Sequence, residues 1–342
     1  MAPTKLNKQI MDIEYKPDKT MKKFTLAITT AAAAVLLLLS ASPRAYSQGP
    51  DGTLLFAQKD GQDLFLDYYT AKGEKVDKDG NAKPSIIFVF GGGFKMGARN
   101  EKSYFPYFTD LAEHGYNVFS IDYRLGLKDA TTVGVKQVKE IQHAVLMAVE
   151  DLFSATAFLL DNAEQLGVQA DNIVIAGSSA GAMTSLQADW EICNHSDIVK
   201  NSPLPEGFRY AGVMSFSGAV FSDKGHVSYP ETPAPTLFLH GTEDKIVSYQ
   251  GISFMNWRLS SSKRLVKEFS KMGYNYNFLK FPTFGHDIAS SMLYTLPEQY
   301  RFLEENVMKG NKRIVESSIL DPAIPKWDQN WDVKDVYKPA EQ

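Results

Sequence analysis

Ser179 stands at the centre of Gly177-Ser178-Ser179-Ala180-Gly181, which follows the apolar run Ile173-Val174-Ile175-Ala176 and opens a helix-forming stretch. A serine set on a tight strand-to-helix turn, with glycine two residues to either side, is placed to attack an electrophile. The strained turn exposes its hydroxyl, and larger neighbours would collide with the sheet. Ser178 lies in the same pentapeptide but lacks that flanking spacing. Nucleophilic use of a hydroxyl needs a base and a group to orient the base. His286, in Phe284-Gly285-His286-Asp287 after the last strand-like run, is placed as the base. Asp244, in His240-Gly241-Thr242-Glu243-Asp244-Lys245, is placed as the orienting acid, with its neighbour Glu243 as the weaker alternative.

A second cluster serves the same chemistry. Phe90-Gly91-Gly92-Gly93-Phe94 follows the run Ile86–Phe90, and three glycines there free backbone N–H groups to face a ligand. Acyl transfer needs preorganised donors for its oxyanion, and Gly92, Gly93 and the N–H of Ala180 are the candidates. A phosphate loop would require Lys-Ser, Lys-Thr or dinucleotide glycine spacing, and none occurs here. His240 reads as support for the acid loop, while His114, His143, His195 and His226 fall on helix ends, a helix face or loops. No His-x-x-x-His pair exists, and the lone Glu140/His143 pair suits a solvated helix face, so neither metal nor cofactor is expected. Cys193 reads as a small buried side chain.

Eight apolar runs of strand length must position these groups: 54–56, 64–69, 86–90, 116–121, 173–176, 211–216, 236–239 and 276–281. Several are continuous rather than alternating, as strands buried on both faces are. Between them, helical periodicity predicts helices over 103–114, 138–166, 180–193, 256–272 and 290–308. Strands alternating with helices imply an α/β fold, a mostly parallel sheet of about eight strands with helices on both faces. Lys59-Asp60-Gly61-Gln62 reads as the turn of an opening antiparallel hairpin.

With Ser, Asp and His in that chain order, the sequence resembles the α/β-hydrolase superfamily over roughly residues 50–308, in the esterase and lipase group that carries a His-Gly-Gly-Gly loop. Asp122-Tyr123-Arg124-Leu125 is similar to a segment common in that group. Two departures stand out: Phe90 replaces the usual histidine, so any hydrogen bond from that side chain is missing, and Ser178 replaces the usual aspartate. The acid loop resembles those of dienelactone hydrolases, feruloyl and acetylxylan esterases and prolyl oligopeptidase-type peptidases. The resemblance implies ester hydrolysis through an acyl-enzyme on a small-molecule or glycan-linked substrate. Phe94, with Met183, Phe221 and Phe284, adjoins the catalytic segments and is a candidate for an apolar acyl pocket, with packing in the core as the alternative. The stretch from Trp190 to Arg209 is too short for a large lid, which favours acetyl or small aromatic acyl groups. The alternatives are a peptidase of the prolyl oligopeptidase type, whose usual propeller has no room in the mature chain before the glycine loop, and a non-catalytic protein on the same fold.

The 342 residues, 44% hydrophobic and 22% charged, are ample for a large core, and show no repeat. A net charge of -4 argues against nucleic acid as a partner. From Met21 the chain reads as an export signal, with Lys22 and Lys23, an apolar run from Phe24 to Leu39, and small residues up to Ser47. Cleavage after Ser47 predicts a periplasmic or secreted protein without a stable membrane span, and an uncleaved anchor is the alternative. Without residues 1–47, 29 basic and 37 acidic residues remain, a net charge of -8. The body is assigned to residues 48–310, and the Trp- and Pro-containing tail 311–342 is expected to pack on it. The sequence assigns no oligomeric state.

Overall fold

A computed structural model describes residues 49–326 and 331–338; the expected export segment 1–47 lies outside these described residues. In chain order the strands are β1 (Gly52–Lys59), β2 (Gln62–Tyr69), β3 (Ser85–Val89), β4 (Val118–Ile121), β5 (Ile173–Ser178) and β6 (Gly212–Phe216), then β7 (Ala219–Ser222), β8 (Thr236–Gly241), β9 (Ile252–Phe254), β10 (Trp257–Ser261), β11 (Tyr276–Phe281) and β12 (Ile314–Ser318). The main helices are α1 (Phe105–Glu113), α2 (Val138–Asp161), α3 (Ala180–Cys193), α4 (Ser262–Met272), α5 (Leu296–Phe302) and α6 (Val333–Tyr337).

Among the described residues, nine strands form one sheet in the order β1-β2-β4-β3-β5-β6-β8-β11-β12. β1 and β2 are antiparallel, β2 is antiparallel to β4, and the remainder pair in parallel. Every residue of β3, β4, β5, β6 and β8 is buried, which accounts for their largely apolar composition. Asp60 and Gly61 between β1 and β2 both have positive φ, the backbone of a two-residue type I′ hairpin turn. From β3 the chain steps one way to β4 and then back past β3 to β5. Right-handed crossovers therefore put α1 on one face of the sheet and α2 and α3 on the other. Tyr107 on α1 donates to Gln299 Oε1 on α5 (2.7 Å), tying α5 to the α1 face.

The elements differ from the sequence reading in three places. Residues 257–261 form β10 rather than the first turns of a helix, and α4 begins at Ser262. The pairing of β10 with β7 on one side and β9 on the other, all antiparallel, makes a separate three-stranded sheet. The expected helix 290–308 is broken: Pro297 opens α5, short 3₁₀ turns precede it, and a π-helical stretch, Leu303–Met308, follows. Finally, the boundary at residue 310 falls inside the body, because β12 is the ninth strand of the main sheet and pairs in parallel with β11. α2 is long and apolar enough to cross a membrane, but most of that length is buried in the body.

Candidate active site

Ser179 follows β5 directly and precedes α3, with φ 50° and ψ -112°, outside the favoured regions for an L-residue. The turn is that tight because sheet and helix are nearly touching at its two glycines. A Cβ on Gly181 would lie 1.9 Å from the Val89 carbonyl oxygen, and one on Gly177 would lie 2.3 Å from the Gly181 carbonyl carbon. Both positions therefore exclude any side chain. The Ser179 N–H donates to Phe216 O at the end of β6 (2.9 Å), and the Met183 N–H donates to Ser179 O (2.9 Å), so neighbouring elements hold the strained residue. Ser178 donates its hydroxyl to Ala289 O (2.6 Å), a bond that does not involve the Ser179 hydroxyl.

Three residues from three loops converge. His286 Nε2 lies 2.8 Å from Ser179 Oγ, and His286 Nδ1 lies 2.8 Å from Asp244 Oδ2. Asp244 is buried, and its Oδ1 accepts the N–H groups of Ile246 (2.9 Å) and Val247 (3.0 Å). Burial pushes its carboxyl up, but the charge of His286 and hydrogen bonding from His240 and His286 outweigh that and hold it well below the usual carboxylate range. His240 is fully buried, between Ser262 Oγ at Nδ1 (2.8 Å) and Val247 O at Nε2 (2.9 Å), and its Nε2 is 3.4 Å from Asp244. It braces the acid loop. Glu243, exposed beside Asp244, does not reach the imidazole.

The glycine loop lies beside this line, at the carboxyl ends of β3 and β5 where the strand order reverses, the place where open α/β sheets bind ligands. Gly92 and Gly93 line a cavity of about 740 Å³ together with Ser179, Ala180 and His286. Ala180 is the first residue of α3, so its N–H has no acceptor within the helix. Phe90, fully buried, stacks its ring on Tyr123 (centroids 4.3 Å apart), and Tyr123 OH donates to Phe90 O (3.1 Å). The position that carries histidine in the resembling group is thus stabilised by an aromatic stack. The adjacent Arg124 joins α2 and the β1–β2 turn through Asp151, Glu150 and Asp60.

The cavity wall is mostly apolar and departs from the expected one. Phe94 borders the cavity but is 2% exposed, with its ring turned edge-on to Tyr123, so it is chiefly core. Met183 and Phe221 line the cavity; Phe284 packs on Phe281 and does not. Trp257 and Leu259 of β10, Ile252 and Phe254 of β9, and Val333, Val336 and Tyr337 of the tail complete it. Sequence reasoning missed these because β10 read as helix and the tail's docking site is a tertiary outcome. Among the described residues no cluster of His, Cys, Asp or Glu is arranged to hold a metal. Cys193 is buried beside Arg209, and burial pushes its thiol up.

The described residues form a nine-stranded, mostly parallel sheet with a tight strand-to-helix turn at Ser179 after β5 and a hydrogen-bonded Ser-His-Asp line, which is the α/β-hydrolase fold. Residues 66–220 match the BD-FAE family model. The fold is similar to that of Thermogutta terrifontis esterase 2. The cyclosarin-phosphonylated form of that enzyme is 20% identical with a TM-score of 0.53, over 75% of this chain and 96% of that one. Its propionate-bound form (19% identical, TM-score 0.53) and butyrate-bound form (19% identical, TM-score 0.52) each cover 75% of this chain and 95% of the other. No curated protein matches.

Proposed function

We propose that the protein is a serine carboxylic ester hydrolase acting on short acyl groups through an acyl-enzyme. The observation that carries this reading is the continuous line from Ser179 Oγ through His286 to Asp244, with both links at 2.8 Å. His286 Nε2 takes the hydroxyl proton as Ser179 Oγ bonds to the ester carbonyl carbon, and the carbonyl electron pair moves onto oxygen. Gly92, Gly93 and Ala180 offer N–H groups to that oxyanion. Asp244, ionised and buried, fixes the imidazole through Nδ1 and stabilises its cationic form. Collapse of the intermediate breaks the bond to the alcohol oxygen, which takes the proton from His286, and water repeats the sequence to release the acid and restore Ser179.

Short acyl groups are favoured by the propionate- and butyrate-bound forms of the similar Thermogutta esterase, and the apolar cavity of about 740 Å³ admits them together with the alcohol portion of an ester. Acetyl or small aromatic esters, free or attached to a glycan, fit this volume. The export signal proposed for residues 1–47 would deliver the enzyme to the periplasm or the medium, where glycan esters are met. Hydrolysis of p-nitrophenyl acetate by the wild type should fall by a factor on the order of 10⁴ or more in Ser179→Ala, with the melting curve preserved. Comparable turnover in the two proteins would overturn the assignment.

A further inference from the structure

The Gly91-Gly92-Gly93 segment has little stiffness of its own, since glycine gives its backbone wide freedom, yet oxyanion donors act only if they are held in place before the charge develops. Three tyrosine hydroxyls supply the restraint. Tyr123 OH donates to Phe90 O (3.1 Å), Tyr104 OH accepts from the Gly91 N–H (3.4 Å), and Tyr337 OH donates to Gly93 O (2.6 Å). The first two tyrosines lie on the body close to the loop in sequence. The third and shortest contact reaches the loop from the far end of the chain.

α6 is built to present that hydroxyl. Asp332 accepts the Lys334 N–H (2.7 Å) while Asp335 accepts the Asp332 N–H (2.8 Å), a reciprocal cap that organises a helix of only five residues. Lys95, on the loop itself, reaches back to the carbonyl of Tyr337 (3.2 Å) and lies over its ring. Upstream, Lys326 binds Thr283 and lies over the Phe284 ring (4.6 Å), anchoring the tail beside the His286 loop. Tyr337 is buried, and burial raises its phenol to about 12, so it remains a donor throughout the working pH range. The packing is close: a Cβ on Gly93 would lie 3.0 Å from both Tyr337 OH and Val336 Cγ1.

We propose that the C-terminal helix is an integral part of the ester site: Tyr337 is a positioning residue that holds the Gly92–Gly93 donors in register, and Val336 closes the same side of the cavity. This rests on the serine esterase reading above. Losing the Gly93 bond leaves the donors present but loosely aimed, which weakens binding of the tetrahedral species more than binding of the ester.

The test uses the full chain with p-nitrophenyl butyrate and, as a tetrahedral-adduct mimic, butylboronic acid. Tyr337→Phe is expected to lower kcat about tenfold with KM changed less than twofold, and to weaken boronic acid inhibition by a similar factor, with the melting temperature within about 3 °C. Termination after Lys326 removes α6 but keeps β12. It should reproduce the loss in kcat and raise the octanoate-to-acetate ratio of kcat/KM at least fivefold. Wild-type kcat and boronic acid affinity in Tyr337→Phe would overturn the proposal, as would an unchanged chain-length ratio in the truncated chain. Failure of the esterase reading looks different: wild type and Ser179→Ala would then be equally inactive or equally active on every ester.

Discussion

The two sides of the cavity are built differently. On one side, Ser179, Asp244 and His286 follow β5, β8 and β11, three interior strands of the parallel sheet whose residues are almost all buried and hydrogen-bonded to neighbours on both sides. On the other, the wall comes from a three-stranded antiparallel sheet and the chain's tail, with β9 exposed along its length and Met255 at its turn 78% exposed. Bond-making needs groups held to within a fraction of an ångström, and rigid central strands provide that; fitting a substrate needs shape and apolar area, which edge elements can provide with fewer fixed bonds. If the chain is the ester hydrolase proposed above, rate and selectivity are separable: changes on the sheet side should act on kcat, changes on the wall side on the choice of ester.

The largest effect should come from the sheet side. Asp244→Asn preserves shape but removes the charge opposite the imidazole, and kcat should fall by about 10⁴-fold, measured on p-nitrophenyl acetate. The same variant probes stability. Because the folded carboxyl titrates below its ordinary value of 3.8, its ionised form stabilises the fold above that pH, and the contribution is lost as pH falls through and below it. Urea midpoints should therefore drop more steeply for the wild type than for Asp244→Asn as pH is lowered from 5 toward 2.5. Parallel curves would show that the interaction with His286 adds nothing to the fold.

A smaller effect is expected on the wall side. Trp257→Ala opens the cavity where Trp257 packs on Phe221 (centroids 5.3 Å apart). It should change the ratio of kcat/KM for octanoate over acetate by about tenfold while kcat for acetate stays within about threefold. A loss of kcat for acetate as large as that in Asp244→Asn would break the separation between the two sides. Smallest of all, Phe90→His exchanges the stack on Tyr123 for the residue common in the resembling group. The cost should be about 1 kcal/mol of stability, read from denaturant unfolding, with acetate turnover reduced less than tenfold.

How much of this could be read in advance depends on what each residue had to satisfy locally. β3, β5, β6, β8 and β11 were legible because burying both faces of a strand demands a mostly apolar run. Ser179 was legible because the close approach at Gly177 and Gly181 leaves only glycine, so the geometry writes itself into the pentapeptide. β12 was not. Its residues, Ile314-Val315-Glu316-Ser317-Ser318, alternate at an exposed edge and carry too little apolar content to announce a strand. β10 was misread as helix because Trp257 and Leu259 run directly into the apolar spacing of α4, and only pairing with Ala219–Ser222 makes that segment extended. Phe94 was sought in the wall by its position beside the glycine loop, but its positive φ and its contact with Tyr123 turn it into the core.

From residue types and spacing alone came the class of fold and the candidate residues Ser179, Asp244, His286 and the glycine loop, since each candidate is marked by spacing along a single strand or turn. Tertiary structure alone decided what surrounds them. The small antiparallel sheet, the stack that takes the place of a histidine, and the tail that carries Tyr337 to Gly93 all join residues far apart in the chain. Such contacts are favoured by burial and by single hydrogen bonds whose partners leave no periodic trace, so they appear only when the chain has closed on itself.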